Sequence, residues 1–221
     1  MDVATAIQAR RSVRGYLDRE VEPALLRELA VTSARAATGG NIQPWHVDIV
    51  HGESMRRLKG IMAGKIERRE SEAPGYDIYP KEMDDVYRQR TFAIGEEMYG
   101  RLGIPREDKK ARAIWFARNF QFFGAPAAYF VTVDRRMGPP QWADLGMYLQ
   151  NLMLLAVDHG LATCPQECWA VYPKTIEQFL EVPGERMLFC GVAIGFEDSE
   201  DKANMTRSAR APEAEWLREL A

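Results

Sequence analysis

Arg10, Arg11 and Arg14 put three guanidinium groups into five positions, with the Ser12 hydroxyl between them. Arg207 and Arg210 make a second pair near the other end of the chain. Guanidinium carries a permanent charge and a planar fork that matches phosphate or a carbonyl edge. Both clusters can therefore grip a phosphorylated ligand. Read alone, each also suits a solvated surface, the first as a helix end whose cations complement the helix dipole. A third stretch, Thr38-Gly39-Gly40-Asn41-Ile42-Gln43-Pro44-Trp45, has the glycines and proline that let backbone approach something closely. A fourth, Cys164-Pro165-Gln166-Glu167-Cys168, places a lone acid between two thiols.

The elements that must position these residues follow from periodicity. Asp2 can cap a short helix to Ala9, with Val3, Ala6 and Ile7 on one side, so the arginines begin where that helix stops. Pro23 opens a helix that frays near Ala37. Trp45 to Val50 alternates as a strand, and Ser54 to Arg69 is a helix. Glu72 to Pro80 reads as a loop or lid before a helix from Lys81 to Leu102, which gives a lid segment of about 72–103. Another helix runs from Pro105 to about Phe120. Ala127 to Asp134 is a buried strand, Arg135 to Gln141 a Gly/Pro loop, and Trp142 to His159 a long helix apolar nearly all round. Leu161 to Trp169 is a strand or loop, Pro173 to Leu180 a short helix, and Met187 to Phe196 the last strand. The tail, about 197–221, carries Asn204, Arg207 and Arg210, and Glu213 to Leu220 is a candidate helix. Few strands among long helices, with no boundary between apolar segments, point to one α+β domain over 1–221.

Composition removes several functions. The chain has 221 residues, 46% hydrophobic, and a net charge of -3, so nothing draws it generally to nucleic acid or anionic lipid. No apolar run is long enough to span a bilayer. Three cysteines and no signal-peptide pattern favour reduced thiols and the cytoplasm. Gly191 and Gly195 lie inside a strand, so they are packing glycines rather than a dinucleotide fingerprint, and no Walker loop occurs. Cys164 and Cys168 lack a second pair, and His46, His51 and His159 have no metal-ligand spacing. No Ser/His/Asp set can be assembled, so no side chain is assigned as catalytic and no metal is expected. Anion grips at both ends, without an acid–base set, suit a cofactor that carries the chemistry itself, such as flavin mononucleotide.

Four groups of residues then become recognisable together. Arg10-Arg11-Ser12-Val13-Arg14, the stretch from Ser33 to Trp45, Asp144-Leu145-Gly146 with Gln150-Asn151-Leu152 leading to Gly160–Glu167, and the late strand with Arg207 and Arg210 resemble the FMN-dependent nitroreductase family. The segments around Tyr79-Pro80, Arg106-Glu107-Asp108 and Asn119–Pro126 look most like its nitroaromatic-reducing branch.

The resemblance implies a nitroreductase-like fold: a small, mainly antiparallel central sheet flanked by helices, a long buried central helix, and an intertwined homodimer with FMN at the interface. It implies that Arg10, Arg11 and Ser12 hold the phosphate and ribityl chain, with Arg14 near the N1–C2=O edge. Arg207 and Arg210 complete that grip. Thr38, Gly39, Asn41 and Gln43 reach the flavin of the partner subunit. Pro165 lies along a ring face, and a backbone N–H of Gln166 or Glu167 points at N5. Tyr79, Phe120 and Phe123 are candidate substrate contacts. The implied reaction is two-electron hydride transfer from NAD(P)H to the flavin and on to a nitroaromatic or quinone-like acceptor, in a ping-pong cycle. The alternatives are a reductive dehalogenase or other flavin reductase on the same fold, and a flavin-binding module without catalysis.

Overall fold

The computed structural model describes residues 1–220. In chain order its regular elements are α1 (Val3–Ala9), α2 (Pro23–Ser33), β1 (His46–His51), α3 (Gly52–Glu67), α4 (Asp85–Arg101), α5 (Lys109–Ala117), β2 (Ala127–Asp134), α6 (Pro139–Asp158), β3 (Ala162–Gln166), α7 (Pro173–Phe179) and β4 (Arg186–Gly195), with short 3-10 turns between. The strands form one antiparallel sheet in the order β1-β2-β4-β3. This is the small α+β sheet the sequence implied.

The sheet divides two apolar cores because side chains alternate across a strand. On β2, Tyr129, Val131 and Val133 pack with α2 and α6 through Leu26, Leu29, Leu145 and Leu152. Ala128 and Phe130 face the other way, towards Leu58, Met62, Trp115 and Trp169. The helix α6 buries one face, including Tyr148 and Ala156, while Met147 on its other side is 39% exposed and Leu154 and Leu155 are half-buried. Gly191 is a packing glycine: a Cβ there would lie 2.6 Å from Trp169 and 3.1 Å from Phe130.

Boundaries moved where local chemistry outweighed periodicity. The helix α2 stops at Ser33, whose hydroxyl turns back to the Leu29 carbonyl at 2.6 Å. The helix α4 begins at Asp85 rather than Lys81, after an extended Asp84. The helix α6 begins earlier, at Pro139, because two prolines suit a first turn and Gln141 Oε1 accepts the Gly138 N–H at 3.2 Å. The helix expected to reach Phe120 ends at Ala117 and passes into a 3-10 turn, Arg118–Gly124. In that turn Phe122 and Phe123 take φ values of 51° and 55°, a left-handed backbone that costs bulky residues about 1–2 kcal/mol each. Both rings are nearly fully buried, which offsets that strain. In the tail, the expected helix over Glu213 to Leu220 is a single 3-10 turn, Glu213–Glu215. The helix α4 buries no residue of its own, consistent with a cover over the molecule rather than part of its core.

Candidate functional site

The arginine segment is held as an extra strand on the open side of β3. Asp2 caps α1 by accepting the Thr5 N–H at 3.0 Å, and the helix ends as Arg10 turns extended. Ser12 then pairs in parallel with Thr163, and the Val13 N–H donates to the Thr163 carbonyl at 2.9 Å. Val13, 1% exposed, anchors the segment, so its neighbours Ser12 and Arg14 turn towards the surface. On the far side the chain following β4 returns: Leu17 N–H donates to the Phe196 carbonyl at 2.9 Å and Asp198 N–H to the Gly15 carbonyl at 3.1 Å. The two ends of the protein are thus laced together beside β3.

Gly15 is essential to that lacing. A Cβ at position 15 would lie 2.5 Å from Asp201 Cβ. Gly15→Ala should therefore cost about 1–3 kcal/mol of stability, read by denaturant unfolding. Gly60→Ala, on an exposed turn of α3 with nothing within 4 Å, is the control and should gain about 0.5–1 kcal/mol. Equal stability of the two variants would contradict the close packing of Gly15 on the tail.

The lacing creates a cavity of about 670 Å³. Arg10, Arg11, Ser12 and Arg14 line it from the N-terminal side, Thr206, Arg207, Ser208 and Arg210 from the C-terminal side, and Ile94 of α4 and Gln150 of α6 complete it. The guanidinium groups are not equivalent. Arg11 forms an ion pair with Glu197, so its charge is already answered. Arg207 donates to the Asn204 carbonyl at 2.6 Å, and Arg210 to Ser208 Oγ at 2.8 Å. Among the described residues no carboxylate pairs with Arg10, Arg14, Arg207 or Arg210. Burial, and then the nearby charge of Arg210, push the Arg10 guanidinium below its ordinary pKa. Cations crowded in this way without a counter-charge define a place for an anion. Two further polar atoms of the cavity's residues, Arg11 Nε and Thr206 Oγ1, are buried with no partner among the described residues. An acceptor-rich ligand would satisfy both.

A second cavity, of about 350 Å³, adjoins the first through Arg14, which lines both. Its walls are largely aromatic: Tyr79 from the loop before α4, Tyr99 from α4, Phe116 from α5 and Phe123 from the strained turn. Pro165, Gln166, Glu167 and Cys168 form the opposite wall at the end of β3. Gln166 is held there by donating to the Asn119 carbonyl at 2.9 Å and accepting from Trp169 Nε1 at 3.3 Å. Burial pushes the Cys164 thiol up to about 11, against a smaller opposite pull from Arg14, so this cysteine stays neutral at physiological pH. The loop entering α4 is pinned by Tyr76, whose hydroxyl donates to the Phe189 carbonyl. Phe189 is free to accept because β4 bulges there out of register with β2. A flat slot with one cation at its inner edge can take a planar aromatic ring, and the larger cavity can take a phosphoryl tail.

The expected residues sort accordingly. Arg10, Arg11, Ser12, Arg14, Arg207 and Arg210 meet in the larger cavity, and Arg14, Tyr79, Phe123, Pro165, Gln166 and Glu167 in the smaller. Phe120 does not join them. It lines neither cavity and packs edge-on against Trp169 and Tyr172, with ring centroids 5.3 and 5.0 Å away. Thr38, Gly39, Asn41 and Gln43 line neither cavity of this chain. Thr38 Oγ1 donates to the buried Asp144 at 2.8 Å, while Asn41 and Gln43 are exposed with φ of 58° and 51°. Sequence reasoning missed Tyr99, Phe116, Thr206 and Ser208. Only their chain neighbours carried a signal, as ordinary helix or tail positions do not announce a cavity.

With this geometry in hand, comparison with known proteins is specific. The model of the Nitroreductase family matches residues 7–196. The chain is 32% identical over 213 residues to the 4-nitrobenzoate reductase of Nocardioides sp. (strain LMS-CY), covering 93% of this chain and 85% of that protein. The crystal structure of the FMN and NADPH-dependent nitroreductase NfnB from Sphigopyxis sp. strain HMH superposes with a TM-score of 0.95 at 42% identity, over 100% of both chains. NfnB from Mycobacterium smegmatis, in complex with NADPH, superposes with a TM-score of 0.93 at 28% identity, also over 100% of both chains. The fold, the two joined cavities and the match along most of the chain agree: the protein belongs to the nitroreductase family.

Proposed function

We propose that this chain is an FMN-dependent oxidoreductase that uses NAD(P)H, with NADPH the first cofactor to try, to reduce nitroaromatic compounds. One observation carries the reading. Arginines from both chain ends open into one cavity that meets an aromatic slot at Arg14. The unpaired cations and the orphaned Arg11 Nε and Thr206 Oγ1 fit a phosphate ester and a hydroxylated chain. Described relatives support the same cofactors and substrate class.

In this reading Arg10, Arg207 and Arg210 hold the phosphate, while Arg11, tied to Glu197, frames the pocket. Ser12 and Thr206 face the ribityl hydroxyls. Arg14 places its charge at the inner edge of the ring. Bound there, FMN supplies two-electron hydride acceptance and donation. Pro165 and the aromatic wall fix the height at which a flat donor or acceptor can lie, and orientation of this kind can supply about 7–11 kcal/mol of the barrier. The same wall keeps water from the faces of the ring. Glu167, exposed at the mouth, leaves proton delivery to solvent.

The reading includes a homodimer. Val3, Ile7 and Val31 are 70%, 53% and 63% exposed on the outer sides of α1 and α2, beside the outer face of α6. An apolar surface of this kind suits a second copy of the chain. Thr38, Gly39, Asn41 and Gln43 would then reach the partner's flavin. Among the described residues no helix is long and apolar enough to cross a membrane, and the free cysteines Cys164, Cys168 and Cys190 fit a reducing cytoplasm.

The test is direct. Purified protein incubated with FMN and desalted should keep a flavin absorbance near one FMN per chain. It should then oxidise NADPH faster when a nitroarene is added. Protein that retains no FMN, or that retains it and oxidises NADPH no faster with any nitroarene, contradicts the proposal.

A further inference from the structure

Asn204 lines neither cavity, yet it touches the segments that carry both groups of arginines. It lies in the 3-10 turn Lys202–Met205 and is 4% exposed. Its Oδ1 accepts the backbone N–H of Arg14 at 2.7 Å. Its Nδ2 donates to the carbonyls of Gly15 and Asp198, both at 2.8 Å. Its own carbonyl accepts from Arg207 Nη1 at 2.6 Å. Both N–H donors of the side chain are used, and its oxygen is used on the residue that joins the two cavities.

We infer that Asn204 is a positioning residue for the cofactor. Through its side chain it sets the backbone of Arg14, and through its carbonyl it aims Arg207. By pinning the turn, the buried side-chain amide fixes the main-chain carbonyl that aims Arg207 and the backbone of Arg14 relative to each other. The inference rests on the FMN reading above. Its physical basis is that beyond Met205 the chain has no regular element until Glu213, and Arg207 and Arg210 are exposed, so the turn buried at Asn204 is the anchored part of the tail next to them. Alanine at this position leaves the Arg14 N–H without a partner and takes one of two donors from the Gly15 and Asp198 carbonyls, which keep only the N–H groups of Asp198 and Asp201. Aspartate keeps the acceptor for Arg14 but turns a carboxylate oxygen towards the Gly15 and Asp198 carbonyls.

A merely structural asparagine would lower thermal stability and weaken every ligand alike. A positioning one changes discrimination between FMN and riboflavin, which lacks the phosphate. Apoprotein carrying Asn204→Ala, Asn204→Asp, Arg207→Ala or the Asn204→Ala/Arg207→Ala pair is titrated with each flavin by fluorescence quenching, with thermal unfolding in parallel. The preference for FMN over riboflavin should fall about tenfold in folded Asn204→Ala and Asn204→Asp, as expected for one misplaced charge-assisted contact. The double variant should be little worse than Arg207→Ala, because Asn204 acts on the phosphate through that arginine. Asn204→Ser serves if the alanine variant does not fold. An unchanged preference in any folded Asn204 variant, or effects that multiply in the double variant, overturns the inference. Failure of the parent protein to bind FMN overturns the cofactor reading instead.

Discussion

Arg10→Ala should weaken FMN binding about 10- to 100-fold while leaving the apoprotein at least as stable as the parent. Arg10 shares the larger cavity with Arg207 and Arg210. No hydrogen bond or ion pair to its guanidinium occurs among the described residues, and what acts on it is burial and the like charge of Arg210. All its donors are therefore available to a ligand. A hydrogen bond to a charged group is worth about 1.5–3 kcal/mol, and each 1.4 kcal/mol is tenfold in affinity. The same residue burdens the empty protein, so its removal relieves repulsion. Sites built for ligand are often destabilising in this way. Fluorescence titration and thermal unfolding of one preparation check both halves. A variant that binds FMN normally, or that loses affinity only because it has lost stability, contradicts the assigned role. Riboflavin affinity should change little, since the contact is to phosphate.

Arg14→Gln should act on the ring rather than the tail. Arg14 lines both cavities, and its guanidinium is 6.0 Å from the centroid of Phe123 in the aromatic wall. Its side chain makes one long contact, to the Ser12 carbonyl at 3.4 Å, so its charge is not spent on the protein. A cation fixed at the edge of a flavin favours the more negative, reduced form. Glutamine keeps a polar group of similar reach and removes the charge. The flavin midpoint potential should fall, and reduction by NADPH should slow about tenfold or more, with FMN still bound. Potentiometry and stopped-flow absorbance separate these effects. An unchanged potential together with an unchanged reduction rate would place Arg14 away from the ring.

The larger features of the fold were legible because they rest on periodicity. The strand from Ala127 to Asp134 has the bounds its β-forming, apolar composition suggests. The short first helix follows from Asp2 and its side-chain cap. What periodicity cannot weigh is local competition. Ser33 ends α2 by bonding back to Leu29, and the two prolines read as a loop begin α6. Phe122 and Phe123 sit in left-handed backbone that no propensity would assign to phenylalanine. Burial against Phe130 and Trp115 decides it.

The site shows the same division. Residue type raised the arginines as candidates that equally suited a solvated surface, and only the two clusters taken together with the other recognisable segments favoured an anion grip. It could not say which of them the protein neutralises itself. Glu197, which pairs with Arg11, is a tail acid like many others until β4 brings it back beside Tyr16. Nor could it separate Phe120 from Phe123, three residues apart in one turn, the first lining neither cavity and the second lining the slot. Asn204 is a similar case. An asparagine in a polar tail carries no signal of its own, and its importance arises from a turn that buries it against Gly15.

The most direct measurement is a crystal structure of the protein grown with FMN. The expected result is a single phosphate enclosed by Arg10 on one side and Arg207 and Arg210 on the other, with the ring beside Arg14 and Pro165. A phosphate bound elsewhere, or a ring outside the slot between Pro165 and the aromatic wall, would contradict the claim that the two chain ends build one cofactor site.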